Sequence, residues 1–73
     1  MKSVVERAVR LTVREADVLR LIARGCTYSQ AAGALGMSAH TVGTHVKHAY
    51  RKLDVHSAAA AVMRAIELQL LEV

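Results

Sequence analysis

The segment TYSQAAGALGMSAHTVGTHVKHAYRKL, residues 27–53, determines the fold that we expect for this chain. It contains two stretches of helix-favouring residues that are separated only by Gly36, Met37 and Ser38. Gly36 is a typical residue for ending a helix, and Ser38 is a typical N-cap for starting the next one. Two helices joined by so short a turn have the geometry of a helix-turn-helix motif, although an ordinary helical hairpin can have the same turn.

The longer predicted helix, which has Ser38 as its N-cap and ends at Leu53, has two chemically different faces. At about 100° per residue, four apolar side chains fall on one narrow arc and predict the buried face. These residues are Val42, Val46, Ala49 and Leu53. The opposite arc contains His40, Thr44, Lys47 and Arg51, flanked by Gly43 and Tyr50 on one side and by His48 on the other. A solvated face usually mixes acidic and basic residues, so a face without any carboxylate favours a polyanion as its partner.

Capping patterns and apolar spacing predict the other helices. Thr12 with Glu15, and Thr27 with Gln30, match the capping box, and Gly25 stands where a helix C-terminus is expected. The predicted helices run from Val13 to Arg24, from Tyr28 to Leu35, from Ser38 as N-cap to Leu53, and from Ser57 nearly to the C terminus. Residues 1–10 are interpreted as a lead-in or a short helix, and residues 11–73 as the domain. The predicted fold class is all-α, a four-helix helix-turn-helix domain with the third helix as recognition helix.

Composition narrows the classes of partner. The chain has 73 residues and no Trp, Phe or Pro, which favours a single small helical domain. Lys and Arg outnumber Asp and Glu by 10 to 6, and this basic balance favours nucleic acid or an anionic membrane surface. No apolar run approaches the roughly 20 residues of a membrane span, so we expect no membrane partner. The single Cys26 cannot form an internal disulfide, which fits a cytoplasmic location.

No group of residues predicts catalysis, a metal site or a cofactor. His40 and His45 diverge by more than a right angle on the helical wheel, and Cys26 is the only thiol. The sequence has neither a glycine-rich phosphate loop nor a clustered pair of carboxylates. We therefore expect that the protein is not an enzyme, and that it needs neither a metal ion nor a cofactor.

From Leu11 to about Ala65 the sequence resembles the LuxR/FixJ (GerE-like) helix-turn-helix family of bacterial transcription regulators. Three segments carry the resemblance: LTVREADVLRLIARG at 11–25, TYSQAAGALGMSAHTVGTH at 27–45 and KLDVHSAAAAV at 52–62. The resemblance implies four helices, of which the third enters the major groove of double-stranded DNA. It also implies that the fourth commonly pairs two subunits.

The predicted DNA contacts lie at the start of the second helix and along the third. They are Thr27, Ser38, His40, Thr41, Gly43, Thr44, Lys47, His48 and Arg51. Thr44 and Lys47 fall at positions that read bases in family members. The family usually has Lys at the position of Gly43, Ile at Ala31 and Arg at Ala58. Gly43 either lets the backbone approach the groove closely or reflects drift in a divergent binder.

The last segment, SAAAAVMRAIELQLLEV at 57–73, has a wider apolar arc than one core contact requires. The family pattern turns Ala61, Val62 and Ala65 toward the core. The other apolar residues then form a predicted homodimer interface, which consists of Ala59, Met63, Ile66 and Leu70. The alternative is a fully buried fourth helix that residues 1–10 cover.

Three functions are compatible with these patterns. The first is a sequence-specific DNA-binding transcription regulator that acts as a dimer on an inverted repeat, with RNA polymerase as a further candidate partner. The second is a promoter-reading module similar to region four of sigma factors. The third is a protein-interaction module whose DNA contacts have decayed. The glycine at position 43 is the feature that supports this third function.

Overall fold

The computed structural model describes residues 9–72, and this part of the chain contains four α-helices and no strand. The helices are α1 (Val13–Ala23), α2 (Tyr28–Leu35), α3 (Ala39–Leu53) and α4 (Ala58–Glu67). The predicted all-α fold class is confirmed, and α1 ends one residue earlier than predicted, with Arg24 as its C-cap. The predicted lead-in falls largely on residues 1–8, which lie outside the described residues; Val9 packs against the core.

A hydroxyl side chain starts each helix. The N-caps are Thr12, Thr27, Ser38 and Ser57. In α1 and α2 the capping box is complete, because the side chain of Glu15 or Gln30 also accepts a hydrogen bond from the backbone amide of the N-cap. These side chains satisfy amides that have no partner within the helix, and this explains why the sequence predicted the helix starts so closely.

The core consists of two clusters that meet along α3. In one cluster, α3 packs with α1 and α4 through Ala49 and Leu53; in the other, it packs with α1 and α2 through Val42 and Val46. All four side chains are buried, as the helical wheel predicted. Since one face of α3 is held by every other helix, its opposite face is directed away from the core.

The turn between α2 and α3 follows the predicted pattern. Gly36 has a φ of 68°, in the left-handed region that favours glycine, and Met37 N donates to the Ala32 carbonyl at 3.1 Å. The hydroxyl of Ser38 then accepts a hydrogen bond from Thr41 N at 3.0 Å and starts α3. The short connection therefore fixes α3 against α2.

The prediction that the fourth helix runs nearly to the C terminus is wrong. The helix ends at Glu67, and Gln69 adopts a left-handed φ of 62°. The chain then folds back, with Leu70 N donating to the Ala65 carbonyl at 2.8 Å and Leu71 only 6% exposed in the core. Burial of Leu71 favours the reversal over further helical turns, and no glycine signals it in the sequence.

One buried carboxylate connects the start of α1 to the end of α3. Glu15 is 3% exposed, and its Oε1 accepts hydrogen bonds from Thr12 N at 2.9 Å and from Lys52 Nζ at 2.7 Å. Burial by itself would raise the pKa of Glu15, but the hydrogen bonds from Lys52 and Thr12 and the charge of Lys52 outweigh it, and the pKa is lowered. This ion pair holds the C-terminal end of α3 in place.

Candidate nucleic-acid interface

Every residue predicted to contact DNA lies at the surface. Six are exposed, namely Thr27, Ser38, His40, Lys47, His48 and Arg51, and three are partly exposed, namely Thr41, Gly43 and Thr44. We call six of these residues the polar face of α3: His40, Gly43, Thr44, Lys47, His48 and Arg51. Because both core clusters pack against the other side of α3, this face is directed toward solvent.

The polar face of α3 contains two cations and no carboxylate. Within residues 9–72, Lys47 and Arg51 take part in no ion pair. The ion pairs of that range lie elsewhere: Arg14–Asp17, Arg20–Asp17, Lys52–Glu15 and Arg64–Glu67. Lys47 and Arg51 also line a shallow cleft with Asp54, the acid that follows α3. The two cations are thus available to an external anion, as are Arg10 and Arg24, which also take part in no ion pair within residues 9–72.

Hydroxyl groups at the front of α3 are partly engaged within the protein. Ser38 and Thr41 share a side-chain hydrogen bond of 2.9 Å in addition to the N-cap contact. Thr44 Oγ1 donates to the carbonyl of His40 at 3.2 Å. The Thr44 oxygen can still accept a hydrogen bond, and its methyl group can contact an apolar group such as the methyl of thymine.

An aromatic ring that the sequence analysis did not assign lies against the polar face of α3. Tyr28, the first residue of α2, is 43% exposed, and a Cβ atom built on Gly43 would lie 3.7 Å from its Cε2. Burial raises the pKa of Tyr50, and the neighbouring Tyr28 raises it further. The sequence offered one indication that Tyr28 belongs to this surface: the chain has two aromatic residues in all, and one of them lies at a predicted helix start.

The predicted dimer residues on α4 do not form one continuous stripe. Met63 is 61% exposed and, with Ala59, borders an apolar groove whose other walls are Ile22, Ala23, Ala58 and Val62. Ile66 is partly buried against the core. Leu70 lies beyond the end of α4 and is partly buried against the same cluster, so its predicted place on the helical arc is wrong. Ile22 and Ala23 of α1, which the sequence analysis did not assign, also line this groove.

The described part of the chain contains neither a metal-binding cluster nor a membrane-spanning helix. Residues 9–72 bring no three His, Cys, Asp or Glu side chains together in a way that could hold a metal ion. No helix in the same range is long and apolar enough to cross a membrane.

Four short helices, a tight turn before the third and an acid-free outer face on that helix define a helix-turn-helix domain. Residues 9–65 match the family model described as bacterial regulatory proteins, luxR family. The chain therefore belongs to the luxR family of bacterial regulatory proteins, as the resemblance in its sequence indicated.

Two similar proteins are regulators by name, and both are much longer than this chain. The chain is 41% identical over 64 residues to the transcriptional activator protein CarR of Pectobacterium carotovorum, covering 88% of this chain and 26% of that protein. It is 46% identical over 57 residues to a nitrate/nitrite response regulator protein homolog of Haemophilus influenzae, covering 78% of this chain and 27% of that protein. The chain thus spans about a quarter of the length of these two relatives.

A solved structure supports the arrangement of the helices. The structure of the transcription factor GerE superposes with a TM-score of 0.81 and 27% sequence identity. The match covers 85% of this chain and 92% of that chain. This chain therefore shares its fold with a transcription factor over nearly the whole length of that protein's chain.

Proposed function

We propose that this domain binds double-stranded DNA by placing the polar face of α3 in the major groove, and that it regulates transcription in this way. The observation that supports the proposal most is the charge on this face. Lys47 and Arg51 project from a helix whose other side is fixed in the core, and they have no carboxylate partner among residues 9–72. Such side chains bind phosphate oxygens and guanine edges.

The proposal divides the roles along α3. Thr44 and Lys47 face outward on successive turns and would read bases, whereas Arg51, nearer the C-terminal end, would meet a phosphate. Ser38 and Thr41 cap the helix and would contact the DNA backbone at its front end. Thr27 starts α2 and would contact a phosphate beside it.

A binding assay with random genomic fragments at moderate salt tests the proposal. We expect the wild-type domain to retard these fragments and to enrich a preferred sequence over repeated rounds of selection. Lys47→Ala should weaken binding, whereas Arg14→Ala removes the same charge from α1, where Arg14 is paired with Asp17 at 3.4 Å, and should change it much less. Absence of binding by the wild-type domain at every salt concentration would refute the proposed function.

We further propose that two copies pair through the apolar groove bordered by α4 and bind an inverted repeat. Met63 and Ala59 are the exposed members of the predicted dimer set, and Ile22, Ala23 and Val62 extend the apolar surface beside them. One recognition helix reads only a few base pairs, so pairing two of them increases both affinity and selectivity. A role on bacterial DNA also places the domain in the cytoplasm, which the free thiol of Cys26 fits.

A second candidate function is a protein-interaction module. The exposed Met63 and the apolar groove beside it favour this alternative, with RNA polymerase as one candidate partner. The two candidate functions differ in the expected DNA affinity. A protein-interaction module would still pair through its apolar groove, but it would bind DNA only through the non-specific attraction of its net charge of +4.

A further inference from the structure

We propose that Tyr28 of α2 forms part of the DNA-binding surface of α3, where its ring covers Gly43 and its hydroxyl donates to a phosphate oxygen. This inference rests on the proposed function and adds a contact from a different helix. It assigns a role to two residues together: the glycine leaves space on α3, and the tyrosine fills it.

The first argument is the close fit between the two residues. A Cβ atom at position 43 would lie 3.7 Å from Cε2 and 3.9 Å from Cδ2 of Tyr28, which is ordinary van der Waals distance. The ring edge therefore lies just beyond the place where a side chain of residue 43 would begin. A long side chain at this position would have to share its space with the ring, whereas glycine leaves the ring where it is.

The second argument is that the backbone that carries the ring is fixed. The capping box of Thr27 and Gln30 fixes the start of α2, with hydrogen bonds of 2.8 and 3.1 Å. On the other side, Tyr28 lies close enough to Tyr50 for the two phenols to interact. Tyr50 itself packs against both core clusters. A ring on a fixed backbone has less conformational entropy to lose when it binds a ligand.

The third argument is exposure. Tyr28 is 43% exposed although it lies against two neighbours, so part of the residue remains accessible beside the polar face of α3. Tyrosine hydroxyls are common donors to DNA phosphates, and such contacts orient a protein on the duplex without reading sequence. A phosphate contact at Tyr28 would set how deeply the front of α3 enters the groove.

The experiment measures the affinity of four proteins for two duplexes, one selected by the wild-type domain and one of scrambled sequence. The proteins are the wild type, Tyr28→Phe, Tyr28→Ala and the control Tyr50→Phe. We expect Tyr28→Phe to weaken binding about threefold, and Tyr28→Ala about tenfold, on both duplexes, because a backbone contact is lost. Tyr50→Phe removes the partner phenol without touching DNA and should bind as the wild type does.

Tyrosine fluorescence gives a second measurement that does not depend on the stability of Tyr28→Ala. The chain has two Tyr and no Trp, so in Tyr50→Phe the emission excited in the tyrosine absorption band comes from Tyr28 alone. We expect saturating DNA to change this emission after correction for the exciting light that the DNA itself absorbs.

The outcomes separate this inference from the proposed function. Wild-type affinity in both Tyr28 variants, or unchanged Tyr28 emission at saturation, would overturn the inference if Lys47→Ala still weakens binding. Equal losses in Tyr28→Phe and Tyr50→Phe would also overturn it, because the hydroxyl would then act only within the protein. A wild-type domain that binds no duplex would instead refute the proposed function.

Discussion

At the residue scale, two residues lie in positions that are unusual for their type. Glu15 is a carboxylate in the core, and two donors converge on its Oε1. Gly43 is a glycine inside a helix, where it costs about 1 kcal/mol relative to alanine. Single substitutions test the roles of both residues, because the contacts around each residue show which interaction a substitution removes or adds.

Removing the partner of the buried carboxylate should destabilise the fold. Lys52→Met keeps most of the aliphatic chain and leaves Glu15 without its cation, so we expect the free energy of unfolding at neutral pH to fall by about 1–3 kcal/mol. Urea denaturation followed by circular dichroism measures this. Asp17→Asn, which disrupts the more exposed pairs with Arg14 and Arg20, is the control and should cost less. A loss no greater than that of the control would contradict the role given to the Glu15–Lys52 pair.

The same carboxylate should make stability depend on pH in the acidic range. The pKa of Glu15 is lowered in the folded state, so its contribution is present above the ordinary carboxyl pKa of 4.5 and is lost as the pH falls through the lowered value. We expect Glu15→Gln to be less stable than the wild type at pH 7, with the difference narrowing toward pH 3. A difference that is constant with pH would show that the charge of Glu15 is not the source of the effect.

Adding a methyl group at Gly43 should stabilise the domain and leave DNA binding intact. The new Cβ would contact Tyr28 at an ordinary distance, so Gly43→Ala should raise the free energy of unfolding by up to about 1 kcal/mol. Gly33→Ala on α2, where a Cβ meets nothing within 4 Å, is the matched control for the helix effect. A large loss of DNA affinity in Gly43→Ala alone would show that the DNA backbone approaches this glycine directly.

At the element scale, helices with strong local signals were predictable and contacts between helices were not. The starts of all four helices and the buried face of α3 follow from capping residues and spacing. The end of α4 does not, because a glutamine takes the left-handed conformation at position 69 in order to bury Leu71. The ring of Tyr28 over Gly43 was equally hidden, since it depends on how α2 packs on α3.

The surface of α4 yields a prediction about assembly. Met63→Glu would place like charges across a two-fold axis, so we expect it to block pairing and to leave the monomer folded, because Met63 is 61% exposed. Sedimentation with and without a palindromic site measures pairing, and circular dichroism measures folding. Val13→Glu alters another exposed apolar residue, on α1, and serves as control.

On DNA, the paired domains should occupy half-sites about 10 base pairs apart, centre to centre. A Met63→Glu protein that still pairs on the palindrome would exclude this surface as the interface. A Met63→Glu protein that unfolds would show that Met63 belongs to the core of the monomer.

At the scale of the whole molecule, a small basic domain of the luxR family fixes one helix between two core clusters and leaves its cationic face outward. The sequence alone predicted this arrangement, because the alternation of buried and polar residues along α3 is strong. It could not predict which surface residues act together, since this depends on how α1 lies beside α4 and how α2 lies beside α3. In the function that we propose, the orientation of α3 matters more than any single residue.

The proposal that α3 is the recognition helix is tested most directly by the salt dependence of DNA affinity. The proteins to compare are the wild type, Lys47→Ala and Arg14→Ala. If Lys47 reads a base, Lys47→Ala should cost about 1–3 kcal/mol on the selected duplex and relax the preference at one base position. If Lys47 meets a phosphate, binding should weaken evenly across sequences and the slope of log affinity against log salt should fall by about one. The assignment of α3 as the recognition helix would be contradicted if Lys47→Ala bound both selected and random DNA as tightly as the wild type does. In that case Lys47→Ala and the control Arg14→Ala would have the same affinity.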